Sequence, residues 1–396
     1  MGERWVRVIA DDLTGACDVA AALLPSRRRV VVGGIDAVGD ADALVVRNTQ
    51  SRTCAPADAA ARVRRALADV PSVGTGDVLK KIDTALRGHL GTELDAAMDA
   101  CGAAQALVLA AIPEAGRTTV GGLQLADGVP VDRTPFARDP QNPVRDARVA
   151  ETIASTSRRR VTSVGLDVLR RDGVAAVLAR AARDGVAVVV GDAETDDDLR
   201  EWLVGMGGDT IVLAGSTGLA RAWRGAASWS AEPRPSGASA RDGAGGILVV
   251  AGSAHPVGRG QLAHLEAQQD ALVVDVTRAD VAALASGLRA GRVVCLVGPD
   301  GHHDGGSAAL LARLAETTAR AIAAAPPRAM VLVGGETAYA VLGALGHPRL
   351  GVEGAPAPLA VRATVLDGVL AGMPLVTKGG STGPPERLAD LIAEVR

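Results

Sequence analysis

Val6 to Gly15, VRVIADDLTG, most constrains what this chain can become. Val6, Val8 and Ile9 lead into Ala10, a short apolar run that reads as a buried strand. The run stops at Asp11-Asp12, turns through Thr14-Gly15 and enters a helical stretch, Ala16 to Leu24. In an open parallel sheet, ligands bind in the crevice beyond the carboxyl ends of the strands. One acid at such a tip suffices to cap the helix. Two can also orient a hydroxyl or take its proton, which makes Asp11 and Asp12 candidate functional residues.

The alternation recurs. Ala43 to Val46 runs into Arg47-Asn48-Thr49-Gln50-Ser51-Arg52, a polar tip without an obvious proton-transfer group, and Pro56 opens a helix to Leu67. Val78 to Ile82 leads into Asp83-Thr84-Ala85-Leu86-Arg87-Gly88-His89 and then a helix, Leu90 to Ala100. Lys80, Lys81, Asp83 and Arg87 crowd that second tip. Lysine inside a buried strand is costly, so the plain alternative is an edge strand with solvated lysines. Strand periodicity sends Lys80 and Lys81 to opposite faces, and at most one points at a given site. Ala106 to Ala111 precedes a loop carrying Arg117 and Thr118, with Arg117 placed to clamp a carboxylate through both guanidinium prongs. Gly121 to Val131 reads as a hairpin turning at Asp127-Gly128, a candidate flap. Thr162 to Leu166, Val186 to Val190 and Ile211 to Ala214 are further strands, and Asp196 to Asp198 fit a helix first turn. Arg158 to Arg160 read as a solvated run.

Glu232 to Gly245, rich in Pro, Gly, Ser and Ala, is the best linker in the sequence. Beyond it, apolar strands end at Gly252-Ser253, Gly298-Pro299, Gly334-Gly335-Glu336-Thr337 and Gly379-Gly380. Glycine lets backbone N–H groups approach an anion, and a helix N-terminus adds its dipole, so several such tips can converge on a phosphate chain. No G-x-x-x-x-G-K-[ST] and no G-x-G-x-x-G after the first strand is present, which excludes a P-loop protein and disfavours a nicotinamide-dependent dehydrogenase. His302-His303-Asp304 lacks a second ligand pair and reads as a solvated turn. Aromatics at 2% and a formal net charge of -3 argue against a nucleic-acid partner. No apolar run reaches membrane-spanning length, and four scattered cysteines read as reduced thiols, so a cytoplasmic protein is expected. Acids and arginines in front, with phosphate cradles behind, suggest phosphoryl transfer to a small polyhydroxy anion.

At these motifs the chain resembles the four-carbon acid sugar kinases, which phosphorylate threonate, erythronate or 3-oxo-tetronate with ATP. The resemblance rests on Ile9 to Ala16, on Lys80-Lys81-Ile82-Asp83 with Leu86-Arg87-Gly88, and on Gly116 to Gly122. In the second half it rests on Gly252-Ser253, Gly334 to Ala338 and Thr377-Lys378-Gly379-Gly380. The chain departs from the family's pattern at Asn48 to Arg52, where an acid before Ser-Arg is missing, at His89, at Ala254-His255, and at Glu353 to Pro358. The resemblance implies that Asp12, Lys81, Asp83, Arg87 and Arg117 face the acid sugar. It implies that Ser253, Gly334 to Thr337 and Gly380 hold ATP.

The combined expectation is two α/β domains facing across a cleft, each with a mostly parallel sheet flanked by helices: 1–231 for the acid sugar, 232–245 as linker and 246–396 for the nucleotide. Asp12, Asp83 and Arg117 are the expected catalytic residues, with Asp12 or Asp83 taking the hydroxyl's proton. Asp11, Lys81, Arg87 and Thr118 are expected on the substrate. Ser253, Gly334, Gly335, Glu336, Thr337, Gly379 and Gly380 are expected on ATP, with Mg²⁺ on its phosphates and Glu336 or an Asp as its ligand. The expected partners are small molecules, with no nucleic acid and no membrane, and a homodimer if the hairpin pairs with a second subunit. A sugar-acid or nucleotide sensor of the same fold is the alternative class; it would bind ATP without turnover.

Overall fold

A computed structural model describes residues 5–24, 29–38, 43–69, 76–139, 141–206, 211–226, 245–252, 255–268, 271–299, 306–380 and 382–396. The chain divides into two compact units: Met1–Arg27, Gly34–Gly39 and Val45–Glu232 form the first, and Arg28–Gly33, Asp40–Leu44 and Pro233–Arg396 the second. Among the described residues, no helix is long and apolar enough to cross a membrane.

The sheet of the first unit runs in the order Ala43–Asn48, Trp5–Ala10, Gly76–Lys81, Ile211–Gly215, Gln105–Leu109, Val188–Gly191 and Val161–Val164, every neighbouring pair parallel. Ile9, Val78, Val108, Val190 and Val212 line one face of it, where they pack on Leu94, Met98 and Ile153. Parallel strands covered on both faces read as continuous apolar runs, which is why these strands are visible in the sequence. Pro56 takes the first position of the helix Pro56–Ala66, as expected. Thr195 caps the helix Asp196–Glu201 in a capping box with Asp198. Arg158 and Arg160 are exposed, as a solvated run should be, whereas Arg159 is half-buried; Arg158 and Arg159 both pair with Asp95 and Asp99 on the helix Leu90–Cys101.

In the second unit Ala271–Asp275, Val293–Val297, Ile247–Ala251, Ala329–Val333 and Pro374–Lys378 pair parallel in that order. The sheet then turns antiparallel through Ala360–Val365 and Leu350–Ala357 to Arg29–Gly33. The first domain is therefore not contiguous over 1–231. Val31 and Val32 pair with Gly351 and Leu350, which carries the segment around Arg29–Gly33 into the second unit. The linker expected at 232–245 lies outside the described residues except for Gly245, and His302 to Asp304 lie outside them altogether.

Candidate active site

Four strand tips of the first unit build one charged cluster. Asp12 caps the helix Leu13–Leu23: its Oδ1 accepts from the Gly15 N–H at 3.0 Å and its Oδ2 from the Thr14 hydroxyl at 2.6 Å. Gly15 is required here, since a Cβ would stand 2.5 Å from Asp12 Oδ1 and 3.4 Å from Lys81 Nζ. The loop after Ala43–Asn48 is laced to the first strand by Thr49 N–H to the Ala10 carbonyl at 2.8 Å and Ser51 N–H to the Asp11 carbonyl at 2.9 Å. That lacing aims Arg52 at both acids. Its Nε reaches Asp11 Oδ2 at 2.8 Å and its Nη2 reaches Asp12 Oδ1 at 2.7 Å. Burial pushes the Asp11 carboxyl up, but Arg52, Lys80 and Lys81 outweigh it and hold Asp11 below the usual carboxylate range.

Asp83 is clamped by its own loop. Arg87 Nε and Nη2 meet its two oxygens at 2.7 and 3.1 Å, and Arg52 Nη1 stands 3.9 Å away. Burial again acts upward, and the two guanidinium groups win, holding Asp83 far below its ordinary value. The tight loop needs Leu86 at φ 66° and Gly88 at φ 93°. A Cβ on Gly88 would press within 3.3 Å of Arg52 Cγ, so the glycine lets this loop close on the Arg52–Asp11 pair. Arg87 Nη1 also meets Asp139 at 2.9 Å, and its guanidinium lies 5.2 Å from the centre of the Phe136 ring.

Arg117 lies 5.8 Å from the centre of the same Phe136 ring. Its ion pair is a long one, 3.4 Å to the largely exposed Asp127. Strand alternation along Arg117–Val120 puts Thr118 on the face opposite Arg117. The expected hairpin exists, turning at Asp127-Gly128, and Arg117–Val120 adds a third strand to it. It is anchored rather than a free flap: the Asp192 carboxylate accepts from the Gly121 and Gly122 N–H groups at 2.7 and 2.9 Å. Gln124 donates to the carbonyl of Thr84 at 3.0 Å, tying the hairpin to the Asp83 loop.

The lysines do part company as strand periodicity requires, but not on an edge strand. Gly76–Lys81 is interior to the sheet, and both side chains are buried. Lys80 pairs with Glu93 at 2.6 Å on the helix Leu90–Cys101, a structural counter-charge. Lys81 faces Gly15 and Asp12, and its Nζ donates to the Ile82 carbonyl at 2.7 Å. Beside it, half-buried Asp18 is pushed up to about 7 by burial, with Lys81 pulling the other way. Sequence reasoning missed Asp18, Arg52, Phe136 and Asp139. Only Arg52 had a signal, the Ser51-Arg52 pair of the family pattern.

In the second unit Gly334, at φ 98°, opens the helix Gly335–Ala344, and its N–H donates to the Lys378 carbonyl at 2.8 Å. Gly252 abuts Thr337, whose Oγ1 would stand 2.5 Å from a Cβ there. Gly334, Gly335, Glu336, Thr337, Gly379 and Gly380 thus lie at the carboxyl ends of adjacent parallel strands, and Ser253 lies outside the described residues. Among the described residues, no group of three or more His, Cys, Asp or Glu forms a metal-holding cluster.

Comparison with known proteins places these two sites in context. A sugar-binding N-terminal domain model matches residues 6–223, and a nucleotide-binding C-terminal domain model matches residues 299–388. A D-threonate kinase of Salmonella typhimurium is 31% identical, over 97% of each chain. A D-threonate kinase of Bordetella bronchiseptica is 32% identical over 100% of this chain and 99% of that one. A 3-oxo-tetronate kinase of Methylobacterium radiotolerans is 31% identical over 85% and 87%. In fold alone, a solved Salmonella typhimurium structure superposes with a TM-score of 0.78 at 21% identity over 99% of both chains. The chain belongs to the four-carbon acid sugar kinase family and is a phosphotransferase.

Proposed function

We propose that the chain transfers the γ-phosphoryl group of ATP to the terminal hydroxyl of a four-carbon acid sugar, with threonate, erythronate and 3-oxo-tetronate as candidate acceptors. The relatives named above support the class of acceptor. The observation that carries the reading is the unequal engagement of the arginines. Arg52 and Arg87 are saturated by Asp11, Asp12, Asp83 and Asp139, whereas Arg117 keeps its guanidinium open beside them. A bidentate pair with a ligand carboxylate is the interaction a guanidinium so placed makes best.

Arg117 then holds the acid's carboxylate, and Lys81 and Arg87 set the positive field around it. Asp12 orients the attacking hydroxyl: among the described residues Oδ2 accepts from Thr14 alone and keeps room for a second donor. Asp83 is assigned to positioning Arg87, because a carboxyl held so far down is a poor proton acceptor. Phosphoryl transfer asks little of a base and much of alignment and charge. The second unit is the proposed holder of the nucleotide, and the first the proposed holder of the acceptor hydroxyl. Mg²⁺ would ride on the nucleotide's phosphates, with Glu336 in the first helical turn, or an Asp, as its protein ligand. None of the four cysteines is joined in a disulfide, which fits a reducing compartment, and the cytoplasm is the proposed location.

An ATP-coupled assay over a panel of four-carbon acid sugars, with ³¹P spectra of the product, tests the reading. Phosphorylation of one of them at the terminal carbon is expected. ATP binding without turnover of any would establish the sensor class instead.

A further inference from the structure

The second unit gathers its glycine turns around a lysine that the expected site omits. Lys378 ends the strand Pro374–Lys378 and is 1% exposed. Its ammonium donates to the Gly379 carbonyl at 2.7 Å, and among the described residues no carboxylate lies within ion-pair distance of it. Lys80, equally buried, has Glu93 at 2.6 Å. An ammonium withdrawn from water without a counter-charge is expensive, and a fold that keeps one has a negative group to meet. Burial, with Arg387 adding to it, pushes Lys378 down to about 8. Among the described residues the ammonium makes this one hydrogen bond, which leaves two of its three donor hydrogens for a ligand.

Its surroundings suit an anion. The carbonyl of Lys378 holds the Gly334 N–H, and no side chain caps the ten-residue helix that Gly334 opens. The helix Pro256–Gln268 presses on the neighbouring turn, where a Cβ on Gly258 would stand 3.1 Å from the Gly380 carbonyl. His255, just before that helix, is pushed down by burial and then by the positive charge of Lys378. A helix N-terminus alone would prove nothing; a buried cation lacking an acid beside it is a separate observation pointing the same way.

We propose that Lys378 is the donor-phosphate cation of this protein, its ammonium pairing with a phosphate oxygen of the bound nucleotide between the turns Gly334-Gly335 and Gly379-Gly380. The assignment rests on the kinase reading and adds to it a residue for the donor.

The test compares full-length wild type, Lys378→Met and Lys378→Arg by isothermal titration with ATP and with adenosine, alongside thermal unfolding without ligand. Lys378→Met is expected to weaken ATP at least tenfold, leave adenosine affinity unchanged and unfold no earlier than wild type, since it removes an uncompensated buried charge. Lys378→Arg is expected to recover part of the ATP affinity. Unchanged ATP affinity in Lys378→Met, or equal losses for ATP and adenosine, overturns the assignment while leaving the kinase reading standing. A wild type that binds neither compound overturns both.

Discussion

The two units treat charge in opposite ways. At the tips of the first, Asp11, Asp12 and Asp83 are neutralised from within by Arg52 and Arg87, and Lys80 by Glu93. At the tips of the second, backbone and glycine dominate, and among the described residues Lys378 has no acid partner. The difference teaches what each side awaits. A prepaired cluster holds its shape before any ligand arrives, and the proposal gives the acid's carboxylate to Arg117, whose own ion pair is long. A buried cation with no acid partner among the described residues is, in the proposal, completed by a phosphate of the nucleotide.

Breaking the internal pairing should have the largest effect. Arg52→Ala leaves Asp11 and Asp12 buried without their shared counter-charge, and a loss of about 3–5 kcal/mol in urea unfolding is expected. A loss below about 1 kcal/mol would show that the acids are solvated and the pairing is incidental. Next in size is Arg117→Ala. It should raise KM for the acid sugar by roughly a hundredfold, the worth of a charge-assisted bidentate contact, with ATP affinity and stability unchanged.

Asp18 sharpens the comparison through pH. Its carboxyl, pushed up to about 7 in the folded chain from 3.8, holds its proton more tightly folded than unfolded. Stability from this group is therefore present below about pH 4 and is lost as pH rises towards 7. Asp18→Asn stays neutral and should be more stable than wild type at pH 8 by about 2 kcal/mol, a value discounted for partial exposure, and equal to it at pH 4. The smallest effect belongs to Phe136→Leu. Losing a ring near both Arg87 and Arg117 should cost about 1 kcal/mol, read as a severalfold rise in KM for the acid.

What the sequence discloses follows from distance along the chain. Ile247–Ala251, Val293–Val297 and Ala329–Val333 are visible residue for residue because central parallel strands are uninterrupted apolar runs. Leu350–Ala357 is hidden: Gly351, Gly354 and Pro356 dilute its pattern, and register shifts on either side of Gly354 break the alternation against Ala360–Val365. The acids at 11, 12 and 83 stand out because each interrupts a strand tip. Arg52 does not, since its meaning lies in partners 40 and 41 residues away. Asp18 reads as an ordinary helix acid until Lys81 and Asp12 are seen beside it. Lys378 is masked by the glycines that follow it, which draw the eye to the turn rather than to the cation.

The division of labour between the units is tested most directly by crossed titration of the acid sugar and ATP into Arg117→Ala and Lys378→Met. The account predicts that Arg117→Ala loses the acid and keeps ATP, and that Lys378→Met loses ATP and keeps the acid. Loss of the same ligand by both variants would contradict it.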